Sequence, residues 1–300
     1  MTHLRSATRI AGIALAILGT TAGCAPAVID IGVSGAADQI EDQIGDRDVI
    51  FYAIDLETGD QFAYQPERID ERHIPYSSFK IPNLVIALET RVATSLEHER
   101  VWNEQLRPAE SYWSSDWKQN QTLESAFKRS AAWYFQDVAL EVGGDRYRRM
   151  LQAFGYGNAE VPDNNDEFWL DGPLMISPKE QALFLERIVT QSLSIQPTTL
   201  ESLRAASFLG EMSGHEIYGK TGSGPVMAEG EDFEGWDAFD GEFEGWLVGW
   251  VNKPTASTVI YALYVRGPNF GSIQSFRGQM SVAFLRAIGA LPVGADGSEH

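Results

Sequence analysis

Four short strings constrain this 300-residue chain more than anything else in it. They are Ser77-Ser78-Phe79-Lys80, Ser130-Ala131-Ala132, Tyr156-Gly157-Asn158 and Lys220-Thr221-Gly222, in that order. Together they hold a nucleophile, a base and an electrophilic stabiliser, the groups that acyl transfer to serine requires. A fold that uses them must bring distant parts of the chain to one cleft.

With 44% hydrophobic residues, including eight Trp, ten Tyr and fifteen Phe, the chain can bury a sizeable core. Its formal net charge of −19 repels a phosphate backbone, so nucleic acid is not an expected partner. The five histidines, His3, His73, His98, His215 and His300, form no ligand spacing, and there is no cysteine cluster, so no metal site is expected. The sequence carries no signal about oligomeric state.

Residues 1–24 read as an export signal. Arg5 and Arg9 precede an apolar run from Ile10 to Leu18 that is too short to span a membrane. The run leads to Thr21-Ala22-Gly23-Cys24, which contains the only cysteine, so no internal disulfide can form. The expected explanation of that thiol is a lipobox. Cys24 then becomes the lipidated first residue of an exported lipoprotein on the periplasmic or cell-surface side, with this anchor as its only membrane attachment. Thr21 departs from the usual leucine, and plain secretion or an incidental cysteine are the alternatives.

Beyond the signal, Ala36 to Ile44 has helical spacing, and Val49 to Ile54 alternates like a strand. Glu57-Thr58-Gly59-Asp60 is a turn returning through Gln61 to Tyr64, with Gly59 supplying positive φ. Helical spacing recurs from Ile81 to Thr90 and from Leu123 to Val142, ending at Gly143-Gly144. Ser177-Pro178-Lys179-Glu180 opens another helix with a capping box and proline in its first turn. Glu216 to Lys220, Gly245 to Val251 and Thr258 to Val265 read as successive antiparallel strands, followed by a helix from about Gly278 to Ile288.

The expected fold is therefore mixed α/β, of α+β type. A central antiparallel sheet, with helices on its faces, is assembled from residues 25–84 and 176–292. A mainly helical part (85–175) is inserted, a tail (293–300) follows, and the site lies between the two parts.

A Ser-x-x-Lys pair on a helix puts hydroxyl and amine one turn apart on one face, but such a pair arises about once by chance in a chain of this length. Ser125-Ala126-Phe127-Lys128 is a second copy. Context separates them. Ser77 follows Pro75 where a loop enters a helix, so its backbone N–H is free to join an oxyanion hole, whereas Ser125 lies inside a helix with its amide committed. Lysine at its ordinary pKa is almost wholly protonated at pH 7, and deprotonating it costs about 4.6 kcal/mol. Burial can remove most of that, and a neutral buried amine also reacts with carbon dioxide.

The segment Pro75-Tyr-Ser-Ser-Phe-Lys-Ile-Pro-Asn83 resembles the active-serine segment of class D (OXA-type) serine β-lactamases, members of the penicillin-recognising serine enzyme superfamily. The resemblance continues through Trp133-Tyr-Phe-Gln136, Phe154-Gly-Tyr-Gly-Asn158, Phe168-Trp-Leu-Asp-Gly-Pro173, Ile176-Ser-Pro-Lys-Glu-Gln181, Tyr218-Gly-Lys-Thr-Gly222 and Gly245-Trp-Leu-Val-Gly-Trp250, covering roughly residues 48–288.

It implies a β-lactam hydrolase in which Ser77 forms the acyl-enzyme and Lys80, as N-carboxylated lysine, is the general base. Carbon dioxide is then the only co-reactant, and no cofactor is implied. Trp169 matches the tryptophan that holds the carbamate. Ser130 matches the proton relay to the departing nitrogen, and Lys220 lies near it. Thr221, Gly222 and Arg277 match the substrate-binding positions, and the N–H groups of Ser77 and Ser223 match the oxyanion hole. Tyr156-Gly157-Asn158 matches a diagnostic loop to which the residues themselves assign no chemical step. Ala132 departs from the family's valine, leaving more room over Lys80.

Two features stay open at this level. The stretch Glu229–Glu244, with eight acidic residues and Phe233, Trp236, Phe239 and Phe243 interleaved, reads as a solvated loop, with a role at the mouth of the site or in cation binding as alternatives. A sensor that is acylated but never released shares Ser77, Lys80 and Lys220-Thr221-Gly222, and a peptidoglycan peptidase or transpeptidase is a further rival.

Overall fold

The computed structural model describes residues 27–33, 37–227, 235 and 239–293. The export signal, the lipidation at Cys24 and the tail from 294 onward lie outside the described residues, as does most of the acidic stretch 229–244. Among the described residues, no helix is long and apolar enough to cross a membrane.

The strands are β1 (Val28–Asp30), β2 (Asp48–Asp55), β3 (Gln61–Tyr64), β4 (Glu99–Arg100), β5 (Gln121–Thr122), β6 (Phe208–Met212), β7 (His215–Pro225), β8 (Phe243–Asn252) and β9 (Thr258–Gly267). The helices are α1 (Ala37–Ile44), α2 (Lys80–Glu89), α3 (Leu123–Arg129), α4 (Ala132–Val142), α5 (Gly144–Phe154), α6 (Pro178–Val189), α7 (Pro197–Ser207), α8 (Phe270–Gln274) and α9 (Phe276–Ala287). Seven strands form one sheet in the order β1-β3-β2-β9-β8-β7-β6, and β4 pairs with β5 separately. All pairs are antiparallel except β1 with β3.

This sheet is covered on both faces, which explains why its central strands read as nearly unbroken apolar runs. In β2, Ile50, Tyr52 and Ile54 enter a core shared with α2, α4, α5 and α6. Val49, Phe51 and Ala53 enter a second core, built with α1, α8 and α9. The period of two thus divides one strand between two cores. Gly59, at φ +78°, makes the β2–β3 turn where the sequence placed it. Ser177 and Glu180 form the expected capping box at the start of α6.

One expectation is corrected. The helix predicted over Leu123–Val142 is two helices, because Ser130 adopts the left-handed conformation (φ 61°) between α3 and α4. Apolar spacing continues across the break because Ala126, Phe127, Trp133 and Phe135 all pack into the same core. The residue reserved for proton relay therefore sits on a turn rather than within a helix.

Candidate active site

The segment of Ser77, the expected nucleophile, is a single 3-10 turn, Tyr76–Phe79, leading directly into α2. Ladder bonding in the turn begins with Ser78 N–H donating to Pro75 O at 3.1 Å. The carbonyl of Ile74, which a donor one residue earlier would use, accepts the Trp246 indole N–H at 2.9 Å. The Ser77 N–H therefore precedes the ladder, the position from which it can serve an anionic oxygen.

Lys80 Nζ donates to Ser77 Oγ at 2.9 Å. The lysine is wholly buried, its ammonium 5.4 Å from the Phe135 ring centre, and burial alone pushes its pKa down to about 7. Near neutral pH a substantial fraction is thus the free amine, and the same contact then runs from hydroxyl to nitrogen.

The other Ser-x-x-Lys pair performs a different task. Ser125 Oγ accepts the Thr122 N–H at 2.9 Å and donates to Gln121 Oε1 at 2.7 Å, completing the capping box of α3. Lys128 pairs with Glu124 at the surface, at 2.6 Å. The pair is a helix start with an ordinary i,i+4 ion pair.

Lys220, on β7, donates to Ser130 Oγ at 2.6 Å and to Thr221 O at 3.0 Å. Burial, then the nearby Lys80 and Arg277 charges, hold its pKa well below the usual lysine range. Arg277, from α9, donates to Gly222 O at 2.9 Å and also contacts Ser223 Oγ; burial pushes its pKa down to about 10. Its Nε has no acceptor among the described residues. Lys80, Lys220 and Arg277 thus gather three basic side chains around Lys220–Ser223 in a protein of net charge −19, a local inversion suited to an anionic ligand.

Gly222 is the point of closest approach. A Cβ there would fall 2.6 Å from Pro75 O, 2.9 Å from Ser78 N and 3.3 Å from Ser77 N, so only glycine lets β7 lie against the Ser77 turn.

Trp169 is fully buried and stacks on Phe79 at 5.3 Å, and its indole N–H has no acceptor among the described residues. Tyr156 packs edge-on against Phe79 and Phe184, with its hydroxyl beside Ser78 and Gln181. Gly157 has φ +53°, and a Cβ there would lie 2.1 Å from Met175 O. Asn158 donates to Pro173 O at 2.8 Å and accepts from Met175 N–H at 3.0 Å. The loop thereby ties down the segment that carries Trp169.

Sequence reasoning did not single out Tyr76, nor the polar chain beneath the turn in which Gln181 Nε2 donates to Ser78 Oγ (2.8 Å) and Ser78 Oγ to Pro75 O (2.7 Å). Their position inside the quoted motifs was the available signal.

The family model of the penicillin binding protein transpeptidase domain matches residues 49–289. Among curated relatives, the chain is 32% identical over 184 residues to the probable β-lactamase YbxI of Bacillus subtilis, covering 61% of this chain and 67% of that one. It is 31% identical over 229 residues to β-lactamase OXA-2 of Salmonella typhimurium, covering 76% and 75%. Regulatory protein BlaR1 of Bacillus licheniformis is 28% identical over 204 residues, 68% of this chain but 31% of that one.

Among solved structures, a class D β-lactamase from Bacillus subtilis aligns with TM-score 0.70 at 26% identity, covering 85% of this chain and 97% of that one. The C-terminal domain of the Bacillus licheniformis BlaR penicillin receptor shares the fold, with TM-score 0.75 at 24% identity and coverage of 88% and 98%. The chain belongs to the penicillin binding protein transpeptidase family and, within it, to the class D β-lactamases.

Proposed function

We propose that the protein hydrolyses penicillin-like β-lactams through an ester on Ser77. The observation that carries this is Lys80, wholly buried with no counter-ion among the described residues, 2.9 Å from Ser77 Oγ and with its pKa lowered to about 7. The substrate carboxylate is held by Thr221, Arg277 and the Lys220 corner, and the lactam oxygen faces the N–H groups of Ser77 and Ser223. The Lys80 amine takes the Ser77 proton, Oγ attacks the carbonyl carbon, and the ring C–N bond breaks. Ser130 gives its proton to the departing nitrogen and regains one from Lys220. Water then cleaves the ester, its oxygen bonding to the carbonyl carbon and one of its protons returning to Ser77 Oγ. The proton held by Lys80 passes back to Lys220, the ring-opened acid leaves and the site is reset.

The free amine of Lys80 also fits a carbamate, formed with carbon dioxide, because the buried Trp169 indole N–H lacks an acceptor among the described residues. The carbamate would supply a stronger-placed base for the deacylating water. We further propose that residues 1–24 export the protein and that Cys24 anchors it through a lipid.

A second reading, a receptor acylated without release, is supported by the likeness to BlaR1. It shares every acylation group and differs only in deacylation. Purified protein mixed with excess penicillin separates the two. Many product molecules per protein support hydrolysis, and a stoichiometric adduct in the intact mass with no turnover refutes it. Turnover indifferent to removal and restoration of carbon dioxide refutes the carbamate alone.

A further inference from the structure

Tyr76 precedes the nucleophile in a conformation its residue type disfavours. Its φ is +47°, left-handed, the only such value in the turn Tyr76–Phe79. Contacts to β7 hold it there. Its hydroxyl donates to Pro225 O at 2.9 Å, at the end of the strand, and the side chain is almost wholly buried. Its ring occupies the space above Gly224, where a Cβ would fall 1.9 Å from Cε1 and 2.4 Å from Cδ1.

Gly222 and Gly224 are two apart on one strand and so share a face. Together they open a trench in which the Pro75–Ser78 backbone and the Tyr76 ring lie. Ser223 sits between the two glycines. Tyr76 thus joins the two segments that carry the Ser77 and Ser223 amides, with the ring in contact at one residue and the hydrogen bond at the next.

We propose that Tyr76 is a positioning residue that sets the spacing of the Ser77 and Ser223 N–H groups, and so their fit to the oxygen of the tetrahedral intermediate. This rests on the proposed acylation of Ser77. The ring fixes the depth at which the turn lies on β7, and the hydroxyl fixes its position along the strand. Loss of the hydroxyl lets the amides drift, and stabilisation of a developing oxyanion is sensitive to small displacements.

The test uses Tyr76→Phe, with active sites counted by penicillin adduct mass so that rates refer to folded, competent protein. The acylation rate per site is expected to fall on the order of tenfold, with KM for turnover moving far less. Affinity for a phenylboronic acid, which forms a tetrahedral anion on Ser77, should weaken by the same factor. Tyr264→Phe is the control: it removes another buried hydroxyl, one that donates to Glu244 at 2.9 Å, and should lower Tm without changing either quantity. Gly224→Ala should slow acylation further, and its effect should shrink in a Tyr76→Ala background, where the ring no longer obstructs the methyl.

Wild-type acylation rate and boronate affinity in Tyr76→Phe would overturn the positioning role while leaving the function intact. A wild-type protein that takes no label from penicillin would overturn both.

Discussion

Replacing Lys80 by Met should make the protein more stable while abolishing its acylation. Taking a lysine from 10.5 to about 7 corresponds to about 5 kcal/mol of penalty on its charged form. The sign follows from proton counting. Between pH 7 and 10.5 the unfolded chain holds a proton on Lys80 that the native protein lacks, so stability rises with pH across that window. At pH 7 the penalty is about 4 kcal/mol, and by pH 9.5 only about 1 kcal/mol remains.

Methionine fills a similar volume without charge. It loses the bond to Ser77 Oγ, worth about 1 kcal/mol, so the variant should gain about 3 kcal/mol at pH 7. Urea unfolding of both proteins at pH 7 and 9.5, in buffer free of carbon dioxide, measures this directly. Wild type should gain about 3 kcal/mol more than Lys80→Met over the interval. Lys220 is depressed in both proteins, and the loss of its repulsion by Lys80 eases that depression in the variant, which widens the difference rather than reversing it. Equal pH dependence in the two proteins, or a variant less stable than wild type at pH 7, would refute the claim that Lys80 is held against its preferred charge state.

Ser125→Ala should cost about 1 kcal/mol in unfolding experiments, as the loss of half a capping box does, and leave the acylation rate unchanged; a slowed rate would reinstate Ser125 as a chemical group. Gly222→Ala should destabilise by about 2 kcal/mol and suppress penicillin labelling, because its methyl would meet Pro75 O, Ser78 N and Ser77 N, backbone atoms that cannot yield cheaply. Normal labelling would show that β7 can retreat from the turn.

The sheet and the residues gathered around Ser77 were legible because their signals are local. Gly59 in its turn, the Ser177 capping box and the proline-flanked Ser77 each announce themselves within a few residues. What escaped depends on partners far away in the chain. Helix α5 carries apolar anchors Tyr147, Leu151 and Phe154 at helical spacing, but Gly143-Gly144 read only as a stop, whereas Gly143 ends α4 and α5 begins at once. Strand β6 is an edge with Phe208 and Leu209 exposed and Gly210 inside it, so it lacks the alternation that marks a half-buried strand. The left-handed turn at Ser130 leaves no trace in Ser-Ala-Ala, because it is required by where Lys220 lies, 90 residues away. Tyr76 is the extreme case: its backbone strain is countered by two residues of β7 that nothing in the surrounding sequence identifies as neighbours.

The two lysines are also coupled, and the coupling bears on how a single site can serve both halves of the proposed reaction. A charge on Lys80 helps depress Lys220, so while Lys80 is a cation, Lys220 is a poor proton source for Ser130. Neutral Lys80 removes that repulsion, and an anionic carbamate at the same position would turn it into attraction, raising the pKa of Lys220 and restoring its charge. On the proposed reading, then, the change that equips Lys80 as a base also equips Lys220 as an acid. Bicarbonate should accordingly move the alkaline limb of the acylation rate to higher pH, beyond any rise in its plateau. An alkaline limb that stays fixed while the plateau rises would show that the two lysines titrate independently.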